Sequence, residues 1–340
     1  MAKIVTMGEI MLRLSPPNNL RFIQTDSFDV VYGGGEANVA SSLACYGHEV
    51  YFVSKLPDNE IGQAAINKLR QFGVHTEYVK RGGNRIGVYF LETGSAMRAS
   101  KVIYDRSASA ISEAKPEEFM LDEIFKGKEW FHFSGITPAL SDKAAELTKQ
   151  ALIAAKSHGL TVSVDLNYRK KLWSEEKAQE IMKPLMKYVD ICIGNEEDAS
   201  LVLGYKLSKT NIDEGKLTRT DYESILRKMH DDFSFKYVIS TLRESFSASK
   251  NGWSALMYDG KNYYESIKFM IEPIIDRVGG GDSFSAGIIH GLLNFNSQKA
   301  IDFAASASAL KHTIFGDQNY VSEAEVLKLV EGNSSGRVER

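Results

Sequence analysis

Apolar residues fall into short runs that end in glycine or polar residues, and helical patterns separate the runs. Lys3 to Met7 leads into Gly8-Glu9, Trp130 to Phe133 into Ser134-Gly135, and Thr161 to Val164 into Asp165-Leu166-Asn167-Tyr168-Arg169. Val189 to Ile193 leads into Gly194-Asn195-Glu196-Glu197-Asp198, and Tyr237 to Ile239 into Ser240-Thr241. Alternation with helices such as Asp142–Ser157 and Glu175–Lys187 predicts an α/β fold built on a doubly wound, mostly parallel sheet. Such sheets bind ligands beyond the carboxyl ends of their strands, so the polar strand ends mark one rim as the active face.

Two regions break this rhythm. Residues 11–32 and 87–106 carry short alternating runs (Phe28-Asp29-Val30-Val31-Tyr32, Val88-Tyr89-Phe90-Leu91, Val102-Ile103-Tyr104) and few helical signals. They predict antiparallel strands of a small sheet outside the main one, either a lid over the rim or an edge extension. Lys206–Thr220 is polar and reads as a surface excursion. With no repeat and no linker, residues 1–330 are expected to form one domain, followed by a polar tail at 331–340.

A length of 340 residues is enough for a large core, which agrees with one sizeable α/β domain. Acidic residues number 44 and basic ones 41, and no basic stripe stands out, so no nucleic-acid partner is expected. The opening MAKIVTMGEI lacks the features of a signal peptide and no stretch has the apolar length of a membrane span. Cys45 and Cys192, far apart and in apolar surroundings, read as buried reduced thiols. Together these predict a cytoplasmic protein with no membrane partner.

The chemistry concentrates in Asp276-Arg277-Val278-Gly279-Gly280-Gly281-Asp282. Phe284, Ile288, Ile289 and Leu292 follow at helical spacing, so the glycines stand at a helix N-terminus, where unpaired N–H groups and the helix dipole attract anions. A carboxylate at such an anion site points to a proton acceptor beside a transferring phosphate. The alternative for Asp282 is a carboxylate that merely stabilises the dipole.

This segment resembles the D-T-x-G-A-G-D signature of the ribokinase-like (PfkB) sugar kinases, and Gly33 to Ala40, GGGEANVA, is similar to that family's G-G-x-x-x-N-x-A motif. The resemblance runs from about Ile4 to Val326. It implies a ribokinase-like fold with a β-sheet lid, and ATP and Mg2+ as cofactors. Asp282 becomes the catalytic base, with Gly279, Gly280 and Gly281 offering amides to the γ-phosphate. Asp276 either holds the loop by a structural hydrogen bond or helps bind a monovalent cation such as K+. Within the family, FDVVYGGGEANVA, Tyr104-Asp105-Arg106, VDLNYRKKLW, GNEEDA and ALKHTIFGDQN are similar to kinases of 2-keto-3-deoxygluconate. The rivals are a kinase of a neutral sugar such as fructose or ribose, one acting on another sugar acid or a phosphosugar, or a non-catalytic sugar-acid sensor.

The acid end of a keto acid suits a planar, bidentate arginine, and Arg106 and Arg169 are the candidates, with a surface salt bridge as the bland alternative for each. Tyr89 and Tyr104 stand at motif positions that imply hydroxyl contacts to the sugar; without the resemblance both read as lid packing. Gly34 and Gly35 would let the backbone approach it, and Asn38 either bonds the sugar or caps a helix. Asn195 to Asp198 resembles the family's N-x-x-E motif, with an aspartate one carbon shorter in place of the glutamate, which implies that Asn195 and Asp198 act on magnesium through water, with Glu197 as the alternative to Asp198. On the nucleotide side, Ser240 and Arg243 stand where many relatives have a glycine-rich turn, and Gly279, Gly281 and Asn319 complete the set. His312 reads equally well as structural. The exposed edge of a lid sheet suggests a homodimer or larger homo-oligomer.

Overall fold

The computed structural model of the protein describes residues 1–205 and 218–333. The strands in chain order are β1 (Lys3–Met7), β2 (Met11–Ser15), β3 (Asp29–Gly33), β4 (Glu49–Leu56), β5 (Val79–Arg81), β6 (Gly87–Glu92), β7 (Lys101–Asp105), β8 (Trp130–Ser134), β9 (Thr161–Asp165), β10 (Ile191–Gly194), β11 (Tyr237–Ser247), β12 (Lys250–Tyr258), β13 (Tyr263–Glu265) and β14 (Phe269–Ile271). Ten of them form one sheet in the order β13-β12-β11-β10-β9-β8-β1-β4-β5, with β14 paired to β12. From β11 to β5 every neighbouring pair is parallel, and β12 turns the sheet antiparallel at one end.

Successive residues of a strand point to opposite faces, and both faces here are covered. In β1, Val5 and Met7 join the core beneath the helix Asp142–Ser157, while Ile4 joins the core that includes Phe284 and Phe303. On that second side the helices Gly280–Asn294 and Ser297–Lys311 pack backbone to backbone. A Cβ on Gly287 would lie 2.6 Å from the Ala304 Cα, and one on Gly291 2.7 Å from the Ala300 Cα. This close packing fixes the N-terminus of Gly280–Asn294 at the sheet's rim.

The two irregular regions form a separate sheet in the order β3-β2-β6-β7. Its outer pairs are antiparallel as expected, but the central pair β2–β6 is parallel. Both central strands leave the main sheet in the same direction, so no hairpin joins them and the all-antiparallel expectation fails. Phe28, Val30 and Ile103, on the edge strands or beside them, remain exposed.

Three boundaries differ from the sequence reading. The helix from Glu175 ends at Leu185 and tightens into a 3-10 turn over Met186–Tyr188, so β10 begins only at Ile191. β11 continues past Ile239 to Ser247, paired with β12 through a register shift between Ser245 and Ser247, so the segment from 240 to 252 is a long hairpin and not a phosphate-wrapping turn. Residues 206–217 of the expected excursion lie outside the described residues, while Thr218 caps the helix Arg219–Phe233. Of the polar tail, residues 331–333 are described and 334–340 lie outside. Cys192 is buried, Cys45 half-buried, and both are free thiols. No helix among the described residues is long and apolar enough to cross a membrane.

Candidate active site

Between the rim of the main sheet and the small sheet lies a cleft of about 1560 Å3. Its floor is the loop before the helix Gly280–Asn294. Gly279 has φ +83°, a left-handed conformation that favours glycine, and a Cβ there would meet the Asp317 carbonyl at 1.9 Å. A Cβ on Gly280 would strike the His312 ring at 2.6 Å, whereas nothing lies within 4 Å of one on Gly281. The Gly280 N–H closes a turn onto the Arg277 carbonyl at 3.3 Å. That leaves the amides of Gly281 and Asp282, in the first helical turn, as the ones without an intrahelical acceptor.

Asp282 stands at this helix start. Asn38, 244 residues away in sequence, donates from Nδ2 to its carboxylate at 2.7 Å, and takes the Gly34 N–H on its own Oδ1 at 3.3 Å. Gly35 lies alongside, where a Cβ would be 3.7 Å from the Asp282 Oδ1. The two glycine motifs are thereby parts of one site. Burial pushes the Asp282 carboxyl up to about 6; the Asn38 hydrogen bond opposes this, and the nearby Asp317 and Glu36 charges reinforce it.

Further acids line the cleft past the ends of β9 and β10, Asp165 and Asp198 among them. Burial holds the Asp165 carboxyl well above its usual range, with the charges of Asp198 and Asp282 adding to the effect. Burial likewise brings Asp198 to about 6, against hydrogen bonds from the Tyr168 and Asn195 N–H groups at 2.9 and 3.2 Å. The Asn195 side chain accepts the Asp198 N–H in return, which caps the helix Glu196–Leu203. Each Asp198 oxygen thus accepts one main-chain N–H. Among the described residues no three acidic, His or Cys side chains are close enough to chelate an ion. The site fits Mg2+, which keeps most of its own waters and responds to concentrated negative charge.

Basic groups occupy the other walls. Arg243 on β11 and Arg277 both line the cleft, and Arg277 donates to the carbonyls of Ser247 and Ala248 at 3.2 and 2.8 Å. Burial lowers the Arg277 pKa, and the charge of Arg243 adds to the shift while Asp276 opposes it. Nearer the small sheet, Arg169 is exposed, donates to the Tyr168 carbonyl at 2.9 Å, and forms no ion pair among the described residues. Lys171 donates to the Val102 carbonyl at 3.1 Å and lies 5.7 Å from the centre of the Tyr104 ring.

Gly34, Gly35, Asn38, Tyr89, Tyr104, Arg106, Arg169, Asn195, Asp198, Arg243, Gly279 to Gly281 and Asp282 all line this one cleft. Several are already committed. Arg106 is buried against Glu9, with its Nε 2.9 Å from the Glu9 Oε2 and a second contact to the same atom, so its charge is offset within the protein. The Tyr89 hydroxyl donates to Asp317 at 2.5 Å. Ser240 and Asn319 are set apart from the cleft. Ser240 is buried in β11, and Asn319 donates to Tyr46 and Ser283 at 3.1 and 2.8 Å while accepting the Val321 N–H, so it fixes a loop. His312, neutral because burial lowers its pKa to about 4, bonds the Ser308 carbonyl at 2.7 Å.

The sequence reading left out Asp165, Asn167, Lys171 and Arg277. Asp165 and Asn167 follow a strand end, which is a legible signal. Asn167 also has φ +40°, a conformation asparagine tolerates and one that recurs at functional rims.

The sequence profile of the pfkB family carbohydrate kinases matches residues 1–324. A 2-dehydro-3-deoxygalactonokinase of Haloferax volcanii is 34% identical over 337 residues, covering 98% of each chain. The crystal structure of a 2-dehydro-3-deoxygluconokinase from Thermotoga maritima superposes with a TM-score of 0.93 at 52% identity, over 97% of this chain and 98% of that one. A fructokinase from Xylella fastidiosa with bound ATP shares the fold at 20% identity, with a TM-score of 0.77 over 98% and 99% of the two chains. With a carboxylate set at a helix-start anion hole beneath a small sheet, this chain belongs to the pfkB family of carbohydrate kinases.

Proposed function

We propose that this carbohydrate kinase transfers the γ-phosphate of ATP to the terminal hydroxyl of 2-keto-3-deoxygluconate, giving 2-keto-3-deoxy-6-phosphogluconate and ADP. The observation that carries the reading is the position of Asp282 between two oppositely suited walls. Arg243 and Arg277 flank the helix start on one side, and Arg169 with Lys171 faces the small sheet on the other. A polyanion and a sugar acid fit those walls, with the reacting hydroxyl at Asp282.

Asp282 orients that hydroxyl and accepts its proton as the phosphoryl group leaves ATP. The Gly281 and Asp282 amides, with the helix dipole behind them, stabilise the charge of the transferring group. Asp165 and Asp198, acting through water, with Asn195 and Glu197 beside them, would hold Mg2+. When bound, the ion screens the charge on the phosphates. The small sheet, lying over the cleft, would shield the transfer from water.

At the sugar end, Arg169 takes the carboxylate and Tyr104 bonds a sugar oxygen, while Gly34 and Gly35 let the chain approach. The Glu9 partner of Arg106 is the one observation that favours a neutral sugar, because it removes one cation from recognition. Arg169 and Lys171 keep the balance with the sugar acid. The exposed Phe28, Val30 and Ile103 support a homodimer formed through the small sheet.

Asp282→Asn lowers kcat by about 10³-fold or more while sugar binding persists, as isothermal titration and ADP-release assays will show. In the wild-type enzyme kcat/KM falls as pH drops through about 6, because the base works only as a carboxylate and its acid form takes over below that value. The limb belongs to Asp282 together with its acidic neighbours. Full activity in the Asn variant contradicts the mechanism. Arg169→Ala raises KM for the keto acid about tenfold or more, the worth of a charged hydrogen bond, and leaves neutral sugars unaffected; an unchanged KM removes Arg169 from carboxylate recognition. Light scattering returns a dimer mass, and a monomer rejects that assembly.

A further inference from the structure

Beneath the anion hole lies a charge cluster that the catalytic scheme does not use. Lys311, the last residue of the helix Ser297–Lys311, is fully buried. Its Nζ donates to the Ile314 carbonyl at 3.1 Å and approaches the Asp276 carbonyl at 3.4 Å. The two carbonyls belong to the loop that enters the anion hole and to the loop that runs beneath it. The lysine stem packs under Gly279, whose added Cβ would lie 3.2 Å from the Lys311 Cε.

The surrounding charges balance. The Arg13 NH2 lies 2.6 Å from Asp276 and its NH1 2.8 Å from Asp317, with all three side chains buried. The Asp276 carboxylate also accepts the N–H groups of Val278 and Gly316 at 3.0 and 3.1 Å. Two cations thus face two carboxylates. Burial lowers the Lys311 pKa, while Asp276 and Asp317 oppose the shift.

Main-chain carbonyls converging beside a carboxylate are the ligands a monovalent cation takes, and here an ammonium fills that role. A K+ ion would have to displace Lys311 or add an unbalanced charge to a buried, neutral cluster, which is costly. The residues therefore do not fit the monovalent cation that the sequence left open at Asp276.

We propose that Lys311 is a positioning residue, a covalently built-in cation that ties the Asp276 and Ile314 carbonyls together under Gly279, and that phosphoryl transfer by this kinase needs no monovalent metal ion. The proposal rests on the kinase reading but not on the identity of the sugar. It is measured with whichever substrate of a keto-acid and neutral-sugar panel the wild-type enzyme turns over.

The first arm compares wild-type ADP release in tetramethylammonium buffer with and without KCl. The proposal predicts a change below about twofold, and K+ activation of about tenfold or more overturns it. In the second arm, Lys311→Ala and Lys311→Met lose about 10- to 100-fold in kcat with little change in the sugar KM. K+, ammonium or methylammonium then restores kcat and raises Tm for Lys311→Ala, where space opens, but not for Lys311→Met. Wild-type kcat in Lys311→Met, or a folded Lys311→Ala that no cation restores, also overturns the proposal. If both variants fail to fold, the first arm alone decides.

Discussion

The structure turns on one buried side chain, Arg13. It leaves β2 of the small sheet and is shared by Asp276 of the anion-hole loop and Asp317 of the loop after the helix Ser297–Lys311. Its Nε donates to Ser15 at 2.8 Å, so most of the guanidinium is engaged. Burial alone would lower its pKa, but the two carboxylates raise it above the ordinary arginine value. An ion pair this deep is no simple gain in stability, because desolvation offsets much of the attraction, while removal of one partner strands the others. Its effect is geometric. Three segments far apart in sequence share one charge centre, and the glycine loop and the small sheet are held in fixed relation.

Around that centre the cleft separates its charges. Carboxylates gather at the ends of β9 and β10 and at the helix start, and cations gather on β11, on Arg277 and beside the small sheet. Glu36 supports the arrangement from below. Its Oε1 accepts the Ser134 N–H at 3.0 Å and the hydroxyls of Ser134 and Thr137 at 2.8 and 2.6 Å, pinning the helix Gly35–Cys45 to the end of β8. Burial raises Asp165 and Asp282, with neighbouring acids adding to the effect, and burial lowers Arg277, with the charge of Arg243 adding to it. Such unrelieved like-charge groups within one cleft mark a place where ligands complete the electrostatics.

Local sequence made the parallel sheet legible, because apolar runs with polar ends at β8, β9 and β10 carry their own signal. The glycine motifs were legible for a similar reason: Gly279 needs a left-handed backbone and Gly35 leaves space beside Asp282. What stayed hidden depends on partners distant in the chain. Nothing near Arg106 announces Glu9, 97 residues earlier, and nothing near Asn319 announces Tyr46. The parallel β2–β6 pair is likewise a tertiary choice that alternation cannot encode. Lys311 looks like an ordinary helix-end lysine until the loops fold over it.

The central claim is that a pfkB kinase site with an intact base faces a sugar acid. ADP release measured across 2-keto-3-deoxygluconate, related keto acids, phosphosugars, fructose and ribose tests this most directly. The account predicts kcat/KM for 2-keto-3-deoxygluconate at least about 10²-fold above the neutral sugars, the discrimination that one or two well-placed charged contacts supply. A neutral sugar turned over as efficiently as the keto acid would contradict it.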